Sequence, residues 1–467
     1  MIYKILKFSI YFLLIENVIN TSSSIELPFK KEISIYKEEL ILSEYNSDIY
    51  TSFQLGDQKQ KYQKVFIKSD TNEFMLSNSS SINNINYNPE LSSTSKKINY
   101  LRSYSLKYTT KAFVFKDTFY FTNSENKQLT KFDNLTFLYD IKNKNENCPG
   151  IIGLKIARDE IKNVKEFPCQ FHELKYTKSP TWMIKYTNDE EGYFYIGDIF
   201  NKNIFPDFNF EKYRKTNAVI YNTYLSWDLT FSQIKSNDII LNGPLQANLD
   251  FNFGLISCSK EYYNHIKNMF FSNYIQQGKC NEIFYNKENI NNKIKINSNF
   301  TYIVCDKSID IKKYPELTFH HSAIDYIFKL TYKDVFAESN DKIYHLIINE
   351  TEKNDRWKFG KLFFKKYNLI FDQNAKTIGI YDDNYSKSKK ALIIFEWILV
   401  VILILFLIFS AYTLIKRYRL NNYKFFSKKS KADELEENYD EFFENKTEIK
   451  NMNMEAEQKE NKIIDDN

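Results

Sequence analysis

The chain has 467 residues, 43% of them hydrophobic and 17% aromatic, with a formal charge of +5. That apolar content excludes a chain disordered throughout and is ample for a large packed core. A charge this small, with lysine and glutamate spread along the whole length, leaves no electrostatic footprint for a nucleic-acid partner.

Met1 to Lys7 carry a basic start, Phe8 to Ile15 a short apolar run, and Asn20 to Ser24 a polar close. This is the pattern of a secretory signal peptide over residues 1–24. From about Glu26 to Tyr381 short runs rich in Tyr, Phe, Ile and Val alternate with Asn, Asp, Lys and Ser clusters, which predicts a mainly β domain. Strands are expected at Lys111 to Phe115, Gly192 to Gly197, Ala218 to Tyr221, and Leu362 to Phe364 running into Leu369 to Phe371. One amphipathic helix is expected at Lys260 to Phe271, where Tyr262, Ile266 and Phe270 recur at helical spacing.

Residues 391–415 form an apolar stretch long enough to cross a bilayer, interrupted by Glu396 near its outer end. Lys416, Arg417 and Arg419 follow at once. By the positive-inside rule the tail 416–467 is cytosolic, and the chain is a type I single-pass protein of the secretory pathway or cell surface. The tail is basic to Lys431 and then acidic, a composition that predicts disorder. Its basic part suits anionic lipid heads, and the segments at Tyr423 and Tyr439 look like tyrosine-based sorting signals.

All five cysteines, Cys148, Cys169, Cys258, Cys280 and Cys305, fall in the part assigned to the oxidising compartment, so a disulfide set with one cysteine left over is expected. Sequons at Asn78, Asn134, Asn299, Asn349 and Asn384 would be open to glycosylation there. There is no CxxC, no HExxH, no GxSxG and no phosphate-cradling glycine loop. Neither a metal nor a cofactor is expected.

Several separated segments carry a resemblance. They are Tyr50 to Gly56, Lys68 to Leu76, Tyr87-Asn88-Pro89-Glu90-Leu91-Ser92-Ser93-Thr94, Gly150 to Leu154, Tyr314 to Phe319, and Trp357 to Asp372 with Ile378 to Ile380. In this order they resemble the pepsin-like aspartic proteases over roughly Leu42 to Tyr381. Six of the ten glycines, Gly56, Gly150, Gly153, Gly197, Gly360 and Gly379, fall on that family's glycine positions. The resemblance implies a bilobal, mostly β acid-protease fold, with lobes at 25–210 and 211–385. It also implies a second-lobe disulfide between Cys280 and Cys305. Cys148 with Cys169 is then the expected second pair, and Cys258 a free buried thiol.

The run Ala247 to Ile256 resembles one catalytic loop of the family, with Asp250 at the acid position. The matching upstream run, Val65 to Ser69, offers Lys68 instead. The family's chemistry needs two carboxylates that share a proton, so a lysine at one position removes it. A Lys68–Asp250 salt bridge is the expected replacement, with the Asp pKa lowered. A rival register puts Asp70-Thr71-Asn72 at the upstream turn, but the apolar triplet Phe74 to Leu76 stands at the family's distance from Lys68 rather than from Asp70. Tyr108 matches the flap tyrosine, without the glycines that follow it in the family. The expected function is a pseudoprotease that binds extended peptide or protein in the interlobe cleft, and the alternative is an active endopeptidase using Asp70 and Asp250.

Overall fold

The computed structural model describes residues 24–32, 40–57, 62–77, 87–102, 111–122, 129–140, 150–156, 164–201, 203–221, 224–237, 239–286, 298–350, 356–382 and 397–419. The expected signal peptide up to residue 23, the expected tail beyond residue 419, and Asn78, Tyr108, Cys148 and Asn384 lie outside them. Residues 1–383 make one compact unit and 384–467 a second.

The first unit is built on a 13-stranded and an 11-stranded sheet, with a two-stranded hairpin beside them. Each large sheet contains the same local device. The strand Tyr62–Lys68 runs parallel to Gly150–Gly153, with Lys68 opposite Gly153. The strand Ile239–Leu249 runs parallel to Trp357–Phe359, with Leu249 opposite Phe359, and the Asp250 N–H donates to the Phe359 carbonyl at 2.9 Å. Alternation along Tyr62–Lys68 turns Val65 and Ile67 into the core and leaves Lys64 and Lys68 half-buried on the other face.

The glycines that end the two parallel partners permit this. A Cβ on Gly153 would sit 2.4 Å from the Thr71 carbonyl oxygen, and one on Gly360 would sit 1.9 Å from that of Phe253. Only glycine lets the backbones approach so closely.

The N-terminal strand Ser24–Lys31 lies between Glu191–Gly197 and Ile49–Leu55 in the 13-stranded sheet. The short helix Leu40–Tyr45 that follows inserts Ile41, Leu42 and Tyr45 among Phe253, Leu255, Phe300, Leu346 and Ile348 of the second lobe. Glu44 is held between Lys31 and Lys361, each ammonium 2.6 Å from one of its oxygens. Burial pushes the Lys361 pKa down, against the raising effect of Glu44.

Two expectations about local structure are corrected. Leu362 to Phe364 belong to a helix, Lys361–Lys366, not to a strand; one turn buries Phe363 against Phe359 and Phe364 against Phe251. A short apolar run fits either element, and packing chose. The helix at Lys260 is real, but it passes through a π-turn at Lys267–Phe271 and continues to Gln276. The extra residue of that turn shifts the buried position from Phe270 to Phe271.

Cys280 and Cys305 face each other across two paired strands and form a disulfide. Cys169 is a free, buried thiol, its pKa pushed up to about 12 by burial, and its expected partner Cys148 lies outside the described residues. Cys258 is also free and buried, as expected. Asn349 is buried, and its amide nitrogen donates to the Cys258 carbonyl at 3.2 Å. It has no room for a glycan, unlike the exposed Asn134 on its bulged strand.

Two outcomes follow. Replacing Cys280 and Cys305 by serine releases a loop whose ends are 25 residues apart and is expected to cost about 3–4 kcal/mol in urea unfolding. His345 is fully buried, and burial holds its pKa down to about 3. A base whose folded pKa is depressed stabilises the fold above its unfolded value near 6.5 and loses that stability as pH falls towards 3. Thermal unfolding should therefore drop on acidification through this window, less so in His345→Gln.

Candidate functional site

The two turns that end the parallel strand pairs meet where the lobes join. Gly153 packs on Thr71 and Glu73, and Gly360 on Phe253 and Leu255. These contacts lie three and five residues beyond Lys68 and Asp250, so Lys68 and Asp250 occupy equivalent places in the two halves. Asp70 stands two residues farther on and is exposed.

Asp250 has a side chain 17% exposed, and both its oxygens are taken. Ser69 Oγ donates to Oδ1 at 2.5 Å, the Asn252 backbone N–H donates to the same oxygen at 3.1 Å, and Lys358 Nζ stands 3.1 Å from Oδ2. Burial works to raise the Asp250 pKa, but the Lys358 charge and the donated hydrogen bonds outweigh it and hold the carboxyl below the usual range. Lys358 also lies 3.9 Å over the Phe253 ring, which fixes its ammonium beside the acid.

Asn252 supplies the tie between the turns. Its side-chain nitrogen donates to the Ile67 carbonyl at 2.8 Å, and its side-chain oxygen accepts from the Ser69 backbone N–H at 2.9 Å. On the other side its carbonyl accepts from the Ser47 N–H at 2.8 Å, and Gly254 N–H donates to the Glu44 carbonyl at 2.6 Å. Tyr186 closes the underside with a hydrogen bond to the Phe251 carbonyl at 3.1 Å.

The eukaryotic aspartyl protease family model matches residues 49–382. The chain belongs to that family. Among solved structures, the basic 7S globulin from soybean superposes with a TM-score of 0.53 at 11% identity, covering 77% of this chain and 94% of that one. At that identity the likeness speaks for the fold alone. No curated protein compared with the chain matches it.

Two lysines stand at the site. The expected Lys68–Asp250 bridge is not formed; Lys68 Nζ turns instead to Asp48, 2.5 Å from Oδ2, and the cation at Asp250 is Lys358. The reason is geometric. Lys68 shares its strand face with Phe66, over whose ring its ammonium lies at 5.5 Å, and Asp48 begins the neighbouring strand stretch on that side. Ser69, Asn252, Lys358, Asp48 and Glu44 all escaped the reading of the sequence. Only Lys358 left a local signal, a lysine inside the apolar closing run Trp357–Phe359. Among the described residues no group of acidic, histidine or cysteine side chains could hold a metal ion.

Lys358→Met should raise the Asp250 pKa, observed by carboxyl NMR titration. With its pKa depressed, Asp250 stabilises the fold above the unfolded value near 3.9 and loses this as pH falls through its folded pKa, and the variant should flatten that slope. Asn252→Ala, which strips partners from Ile67 and Ser69, should cost about 1–3 kcal/mol in denaturant unfolding.

Proposed function

We propose that this domain is a pseudoprotease, a pepsin-like frame whose cleft binds extended peptide or protein segments without cutting them. The observation that carries this reading is the state of Asp250. One carboxylate held ionised by Lys358, Ser69 and Asn252 has no proton to share, and the equivalent place in the other half holds Lys68. Proton-sharing between two acids, with a water polarised between them, has no counterpart in such a site. Strand-like pairing along the cleft remains open to a ligand, because it uses backbone donors and acceptors and needs no acid.

The helix Trp397–Arg419 is long and apolar enough to cross a membrane. With Lys416, Arg417 and Arg419 at its end, it supports a single-pass protein with residues 24–382 on the lumenal or outer side and a cytosolic tail. An aspartyl protease domain with the Cys280–Cys305 disulfide among its described residues fits a secretory route.

The test is cleavage and binding measured together on the purified protein. Fluorogenic peptides across pH 3 to 7 should show no pepstatin-sensitive hydrolysis, and Asp250→Ala should leave the background unchanged, while fluorescent peptides still bind. Pepstatin-sensitive cleavage abolished by Asp250→Ala and by Asp70→Ala would overturn the reading in favour of an endopeptidase using those two acids.

A further inference from the structure

The strand Lys96–Arg102 ends the 13-stranded sheet, paired antiparallel with Lys111–Thr122 on one side. Its other edge offers backbone donors and acceptors that no strand among the described residues takes up. Lys96 stands opposite Lys116 and Arg102 opposite Lys111, so a like-charged pair closes each end of the ladder. Pairs of this kind weaken the ladder that carries them. No acid occurs in Lys96–Arg102 or from Lys111 to Lys116.

The adjoining acids have other commitments. Asp117 is buried and accepts from the hydroxyls of Tyr87 and Thr94. Asp133 accepts from Thr118 and pairs with Lys131, and Asp140 on the next strand stands opposite Ala112 rather than Lys111. Lys96 and Lys97 are exposed and Lys116 is half-buried, and none of the three meets a carboxylate among the described residues. Other strand lysines of the domain do meet one, as Lys329 meets Glu316 and Lys342 meets Asp306. The Lys97 ammonium lies 3.4 Å over the Phe113 ring, which holds it in place before any ligand arrives.

The shape of the edge indicates what form of anion it suits. The register shifts between Lys97 and Asn99, so Ile98 is an extra residue and the ladder is regular from Asn99 to Arg102. An incoming strand can pair over that stretch while its ends reach the two groups of cations, which lie about 20 Å apart along the strand. A second copy of this edge would bring the same charges and be repelled, whereas an acidic strand is drawn in. A lipid surface matches the charge but has no use for the open backbone edge.

We propose that the edge strand Lys96–Arg102 takes an extended acidic peptide segment as an added strand, with acids near Lys96, Lys97 and Lys116 at one end and near Arg102 and Lys111 at the other. The proposal does not depend on the state of Asp250.

Fluorescence anisotropy on the full chain in detergent tests it, with a labelled octapeptide alternating Glu and Thr. This peptide should bind about tenfold more tightly than its Gln–Thr counterpart, and its affinity should fall as salt is raised. The triple variant Lys96→Ala, Lys97→Ala, Lys116→Ala should lose about tenfold, while Lys215→Ala with Lys235→Ala, exposed lysines on other strands, should change nothing. N-methylation of alternate residues, which removes the peptide's backbone donors, should abolish binding. Equal binding of the Glu and Gln peptides, or a triple variant that binds as well as the native chain, would overturn the proposal. So would an N-methylated peptide that binds undiminished. Phosphatidylserine vesicles that bind the native chain but not the triple variant, with no peptide binding, would overturn it in favour of a lipid surface.

Discussion

One side-chain amide holds the two halves of the site in register. Asn252 reaches across from the second turn to the first, giving a hydrogen to the Ile67 carbonyl and taking one from the Ser69 N–H. It thereby satisfies two backbone groups that the end of the strand Tyr62–Lys68 would otherwise leave open at the junction. Everything else at the cleft floor follows from this contact. With Ser69 held there, its hydroxyl falls on Asp250, and with Asp250 held there, its second oxygen meets Lys358.

The same junction is supported from below by the N-terminal segment. Helix Leu40–Tyr45 crosses into the second lobe, and the chain then returns to the first lobe through Ser47 and Asp48, touching Asn252 and Lys68 on the way. Glu44 lies between two lysines in a place where either charge alone would be costly. The cleft floor is thus a lattice of paired charges. Lys31 and Lys361 bracket Glu44, Lys68 faces Asp48, and Lys358 faces Asp250. Such a lattice is suited to holding shape, because each of these acids is paired with a cation.

Much of the frame was legible in the sequence. Gly153 and Gly360 could be picked out because they fall on the family's glycine positions, and the structure gives the reason, since a side chain at either would run into backbone. The Cys280–Cys305 bridge followed from the family likeness, and the helix at Lys260 from its periodicity. Where the reading went wrong, long-range contact had overruled local pattern. The apolar run at Leu362 suits a strand until Phe251 and Phe359 are brought against it. Asn349 suits a glycan until its amide is turned inward to the Cys258 carbonyl.

The sequence by itself determined the family, the mainly β architecture and the apolar helix near the C-terminus, because glycine spacing, alternation and residue identity are local properties of the chain. Only the tertiary structure decided which cation answers Asp250. Lys68 and Lys358 lie far apart in sequence, both near the acid's turn, and nothing in their spacing ranks them. Strand direction does: one ammonium is carried along the Phe66 face to Asp48, the other is laid over Phe253 against Asp250.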